Sequence, residues 1–135
     1  MIRLAVLLRG RGPAALLAAA YAGFIFFLSA QTGLPGFVSL VPDYAGHAML
    51  YTGLGFLLAN ALTNRGALTK MTRGAMAAGL ASLYGVSDEW HQSFVPGRTP
   101  EVSDWAADTF GAAAGVAVFL FLLGHFGEPG SNSRG

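Results

Sequence analysis

The chain has 135 residues, 53% hydrophobic and only 11% charged, with positive mean hydropathy and a formal net charge of +1. That balance excludes an ordinary soluble domain of this size and describes one small membrane domain. The basic residues stand in ones and twos, so no nucleic-acid partner is expected, and the absence of cysteine removes disulfides, thiolate catalysis and zinc-thiolate sites together.

Residues 1–12 read as a basic cytoplasmic N-terminus, followed by four apolar segments. The first runs from Pro13 to Ala30, with the proline near a helix start, where its missing N–H costs little. A cleaved signal peptide competes for residues 1–30, since Leu28-Ser29-Ala30 precedes Gln31. The apolar run is, however, longer than a signal core. The second segment, Tyr44 to Leu62, opens after Pro42-Asp43, a turn-and-cap sequence. The third, Gly74 to Ser87, has only 14 residues, about 21 Å of helix against a hydrocarbon core of about 30 Å. Continuing it to Phe94 gives 21 residues before Pro96-Gly97 stops it, or about 31 Å. Asp88, Glu89, His91 and Gln92 then lie in the last two turns, where carboxylates meet the negative end of the helix dipole and need a partner. The fourth segment, Asp104 to Phe126, starts behind Ser103 as its cap. Residues 127–135 read as a flexible cytoplasmic tail.

The predicted fold is therefore an all-α integral membrane four-helix bundle with the lipid bilayer as its first partner. Counting basic residues sets its orientation. With both termini cytoplasmic, Arg3, Arg9, Arg11, Arg65, Lys70, Arg73 and Arg134 are inside and Arg98 is the only basic residue outside. The same topology puts Asp43, Asp88, Glu89, Glu101, Asp104 and Asp108 at or near the outer face, with Trp90 and Trp105 at the outer interface. The expected location is the cytoplasmic membrane, crossed several times.

The polar residues also share helical faces. Asp43, His47 and Tyr51 are spaced four apart on the second helix. Tyr84, Asp88, His91 and Gln92 form a stripe on the third, and Asp104, Asp108, Gly111 and Gly115 do so on the fourth. One account makes them caps, close-packing glycines and interhelical hydrogen bonds. The other makes them a site, because intramembrane ionisable groups are rare without a role.

One set of these residues resembles the VanZ-like family. Its signature is Asp88-Glu89, then Gln92, Phe94, Pro96-Gly97-Arg98, Asp104, Asp108, Gly111 and Gly115, with Ser29 and Asp43-x-x-x-His47-x-x-x-Tyr51 upstream. The resemblance covers roughly residues 20 to 120, within a domain drawn over 13–126. Two departures stand out: many members have lysine where this chain has Tyr44, and asparagine where it has Asp108. The family takes its name from a protein associated with teicoplanin resistance. The resemblance implies a small integral membrane protein of the cell envelope, with a possible link to glycopeptide susceptibility, and it names no reaction.

Two functional classes follow. In the first, an enzyme or binder acts at the outer face on an envelope lipid or a glycan (peptidoglycan) precursor. Asp88, Glu89, His91, Arg98 and Asp104 are then the candidate catalytic residues, and Asp43, His47, Tyr51, Gln92 and Asp108 the candidate substrate-binding ones. Arg98 would hold a phosphate or carboxylate, the two adjacent acids would act as a pair, and a histidine would move protons. No serine elbow, H-E-x-x-H or phosphate-cradling glycine loop is present, so whether a reaction is catalysed stays open. No metal is assigned; a metal variant would pair Asp43 with His47 and Asp88 with His91. In the second class the protein is structural or partner-binding, with buried ion pairs between Arg98, Asp88 and Asp104 setting helix register. In both, Arg98 is expected to fold back onto Asp88 or Glu89 and Asp104. The sequence names no cofactor and gives no oligomeric state.

Overall fold

The computed structural model describes residues 11–32, 42–63 and 67–126. Residues 1–10, 33–41, 64–66 and 127–135, with Arg3, Arg9, Arg65, Glu128 and Arg134, lie outside the described residues. Four helices are present and no strand is found among the described residues: α1 Arg11–Ser29, α2 Asp43–Leu62, α3 Lys70–Gln92 and α4 Val102–Phe126. Their 19, 20, 23 and 25 residues correspond to about 29–38 Å of helix.

The helix boundaries correct three sequence expectations. The third helix starts four residues before Gly74, at Lys70, because Thr69 is extended and its side chain accepts a hydrogen bond from the Thr72 N–H at 3.1 Å. It ends at Gln92 and not Phe94. Residues 93–97 form turns, and Gly97 closes them with φ +84°, a conformation that glycine adopts without a Cβ penalty. Asp43 is not a cap: Pro42 holds that position with no side-chain hydrogen bond, and Asp43 lies in the first turn. Nor is Ser103. The fourth helix begins one residue earlier, and the Glu101 carbonyl accepts from the Asp104 and Trp105 N–H groups at 3.1 and 3.3 Å.

Two helices, over Gly12–Ser29 and Val102–His125, are long and apolar enough to cross a membrane on composition alone. The expectation of four such segments is met to that extent. The shortfall has a clear origin, since α2 carries Asp43, His47, Thr52 and Asn60, and α3 carries Lys70, Arg73, Asp88 and Glu89.

α2 is the central helix, packed against α1, α3 and most extensively α4. The α2–α4 seam is made of backbone against backbone. A Cβ on Gly111 would run into the Ala48 carbonyl, one on Gly115 into the Thr52 carbonyl, and one on Gly55 into the Ala112 carbonyl. The expected small-residue face of α4 is therefore an interhelical contact, of the kind that lets membrane helices approach closely. Two apolar clusters fill the bundle. Ile25, Tyr51, Leu54, Ala81 and Ala112 lie nearer the end where α3 finishes, and Ala59, Ala77, Val116 and Phe119 nearer the other. Ile25 ties α1 into the first cluster, and the Tyr84 hydroxyl donates to the Ala22 carbonyl at 2.6 Å, so α1 is an integral wall of the bundle.

Candidate functional site

The end of α1, the start of α2, the end of α3 and the start of α4 meet at one end of the bundle, and the ionisable side chains collect there. Spacing of three and four residues puts each stripe on the inward face of its helix. As a result Asp88, Gln92, Asp104 and Asp108 are all buried, Asp108 completely. Their inward position depends on small neighbours. Gly85, on α3, leaves the space the Asp108 carboxylate uses, since a Cβ there would stand 2.8 Å from Asp108 Oδ2.

His47 is the centre of the cluster. Its Nδ1 is 2.8 Å from Asp108 Oδ1 and 3.9 Å from Glu89 Oε1, and its Nε2 is 3.9 Å from Asp104 Oδ2. One imidazole from α2 thus faces carboxylates from both α3 and α4. Glu89 is fixed by a partner that spacing could not reveal: its Oε2 accepts from the Glu101 backbone N–H at 2.8 Å, across the α3–α4 connection. Asp88 Oδ2 accepts from Gln92 Nε2 at 3.4 Å, one turn along the same helix. Asp88 Oδ1, Glu89 Oε1, Asp108 Oδ2 and the Tyr51 hydroxyl are buried with no hydrogen-bond partner among the described residues. A buried polar atom left unpaired costs about 1–3 kcal/mol, so four together mark something other than packing.

Beside this cluster lies a cavity of about 290 Å³, bordered by Ser29, Asp43, His47, Tyr51, Asp88 and Arg98 among apolar residues of α1 and α2. Nine of the ten candidate site residues converge on the cluster or this cavity, and His91 is the exception. Its ring stacks on Phe26 with centroids 4.0 Å apart, and Nδ1 is 3.2 Å from Ser29 Oγ. It faces α1, because at 3.6 residues per turn position 91 is turned about 60° from Asp88 and about 100° from Gln92, on the far side of Asp88. The metal pairing of Asp88 with His91 is not formed.

Arg98 is also placed differently from expectation. Its Nη1 lies 3.9 Å from Asp43 Oδ2 on α2, and Asp43 is its ion-pair partner among the described residues in place of Asp88, Glu89 or Asp104. The turn ending in Gly97 brings the guanidinium to the cavity mouth, where the Asp43 side chain is 77% exposed. The basic side chain at the heart of the acidic cluster is the imidazole of α2. Sequence reasoning passed over Gly85, Glu101 and the Ser82–Thr109 hydroxyl contact of 2.8 Å that joins α3 to α4. Gly85 was the one within reach, because it lies one turn before Asp88–Glu89.

Residues 13–123 match the family model described as VanZ/LLP1. No curated protein and no solved structure matches the chain.

Proposed function

The chain belongs to the VanZ/LLP1 family, and from that premise we propose that it is a multi-pass protein of the cytoplasmic membrane whose polar site opens at the extracytoplasmic face to bind or act on an envelope lipid or glycan precursor. One observation carries the membrane part: the chain buries acidic and amide side chains at one end of its core while exposing large apolar ones over its surface. Asp88, Gln92, Asp104 and Asp108 are buried, while Leu16, Phe27, Met49, Leu83, Phe110 and Phe121 are exposed. In water that distribution would be inverted; in lipid it satisfies both solvents. It also accounts for α2 and α3, where His47, Asp88 and Gln92 are shielded by neighbouring helices and the exposed Asp43 and Lys70 stand at helix ends.

Orientation rests on the basic residues. Lys70 and Arg73 stand at the end of the bundle opposite the acidic cluster, and cytoplasmic loops hold the excess of lysine and arginine. In this cysteine-free chain, a cysteine introduced at Thr99 should react with an impermeant thiol reagent in intact cells and one at Thr69 should not. The reverse labelling would put the site on the cytoplasmic side.

The ligand class follows from the cavity. Carboxylates and a histidine accept and donate to hydroxyl and amide groups, and a guanidinium at the mouth takes one phosphate or carboxylate. An apolar wall of α1 and α2 beside them suits an amphiphile with a sugar or phosphate head. A link to glycopeptide susceptibility is part of the same proposal, through the precursors that glycopeptides recognise. Arg98→Ala and Arg98→Lys should each leave stability within about 1 kcal/mol of the parent, because the ion pair is long, at 3.9 Å, and its carboxylate side is 77% exposed and screened by solvent. Both should reduce the envelope lipid that copurifies with the protein, since an ammonium does not replace the planar fork. Full retention of bound lipid by Arg98→Lys would remove the arginine from the site.

A structural reading is favoured by one feature, the His47–Asp108 contact of 2.8 Å that ties α2 to α4. Asp88→Asn and Glu89→Gln separate the two. Folded, inserted variants with altered envelope-lipid composition in the cell indicate a site, and variants that fail to insert indicate register-setting charges.

A further inference from the structure

We propose that His47, Asp88 and Glu89 bind one divalent transition-metal cation, Zn²⁺ or Mn²⁺. A ring nitrogen of His47 and one carboxylate oxygen each from Asp88 and Glu89 lie within 4.8 Å of one another. Three donors converging on that scale can close around a cation whose bonds are about 2.0–2.2 Å long.

Two further observations point to a ligand and not to a chance gathering of acids. First, each of the three residues has an outer partner of its own. Asp108 Oδ1 is 2.8 Å from Nδ1 of the ring, Gln92 Nε2 donates to Asp88 Oδ2 at 3.4 Å, and the Glu101 N–H donates to Glu89 Oε2 at 2.8 Å. Metal ligands are commonly oriented by such outer partners, a carboxylate on the imidazole above all. Second, the atoms left over, Asp88 Oδ1 and Glu89 Oε1, are buried without a hydrogen-bond partner, and Asp88 is only 3% exposed. Their other oxygens are satisfied, so what these two lack is a cation or a proton.

Charge leaves the same two choices, a cation or protons. Glu89, Asp104 and Asp108 all lie within 3.9 Å of one imidazole, with Asp88 adjoining. Two like charges 4 Å apart repel by about 4 kcal/mol at an effective dielectric constant of 20. A single histidine does not compensate four acids, and Arg98 is at the mouth beside Asp43. Two carboxylates with one imidazole form a mixed hard and borderline donor set that suits Zn²⁺ or Mn²⁺, and with no thiolate there is nothing to favour Cu⁺. Asp108 is assigned as a positioning residue acting through the ring.

The inference does not depend on which lipid or glycan enters the cavity. The test uses the full chain in detergent or nanodiscs, freed of any affinity tag and stripped with EDTA, then dialysed against Zn²⁺ or Mn²⁺. One equivalent of one of these ions should be retained, and X-ray absorption on the zinc form should show a single imidazole among oxygen ligands. His47→Ala, Asp88→Asn and Glu89→Gln should each weaken binding by at least roughly tenfold, and Asp108→Asn by less, while His91→Ala and His125→Ala bind as the parent does. Helical circular dichroism of each stripped variant identifies any that is misfolded, and the imidazole count of the parent decides the question if all three are. No stoichiometric uptake by the parent, or uptake that survives in a folded His47→Ala, would sink the proposal and leave protons as the compensating charge.

Discussion

Leucine at both Gly111 and Gly115 should abolish recovery of folded protein, whereas leucine at Phe110 and Phe121 together should leave it monodisperse with a midpoint near that of the parent. At 111 and 115 the first atom of a side chain already meets the carbonyls of Ala48 and Thr52, and main chain cannot rotate aside as a side chain does. Overpacking of a core costs about 1–3 kcal/mol where side chains can adjust. Two sites on a rigid seam should exceed that and separate α2 from α4, the most extensive contact in the bundle. Phe110 and Phe121 are 77% and 68% exposed and, on the membrane reading, face lipid, where leucine is an equivalent solute. Thermal unfolding in detergent and size-exclusion profiles report both. Comparable behaviour of the two double variants would mean that α2 and α4 are not held by this seam.

That seam is legible in the sequence alone. A glycine every fourth residue within an apolar helix implies close approach, whatever the partner. Helix number, order and approximate extent were legible for the same reason, since apolar length and the Pro96-Gly97 stop depend only on local sequence. The inward faces of Asp88, Asp104 and Asp108 followed from periodicity. Periodicity does not choose which helix a face meets. Asp88, His91 and Gln92 span about 100° of a helical wheel, and His91, at the edge of that arc, is the one that stacks on Phe26 of α1. Charge compensation points Arg98 at the carboxylates of the two helices it connects, Asp88 or Glu89 and Asp104, whereas it pairs with Asp43 of α2 after the turn through Gly97. Glu89 is bound by a backbone N–H at Glu101, and no residue-type pattern encodes a main-chain donor.

Asp108→Leu should destabilise the folded protein by about 3–5 kcal/mol, and Asp108→Asn by about 1 kcal/mol, because the first removes one partner of a buried pair and the second removes only its charge. Asp108 is fully buried, and its Oδ1 is the carboxylate oxygen nearest the imidazole, 2.8 Å from His47 Nδ1. An asparagine carbonyl there still accepts from the ring, so α2 and α4 stay joined. Leucine fills similar space with nothing to accept, leaving His47 facing Glu89 and Asp104 from an unanchored ring. The amide also brings two N–H donors towards the Oδ2 position, which has no partner among the described residues and stands against the space left by Gly85. If Oδ2 is only a spare acceptor, Asn is accommodated and metal uptake falls modestly, through loss of a charged orienting group. If the carboxylate charge itself holds the cluster together, Asp108→Asn will be as unstable as Asp108→Leu in thermal unfolding. That result would move Asp108 from orienting the imidazole to compensating it.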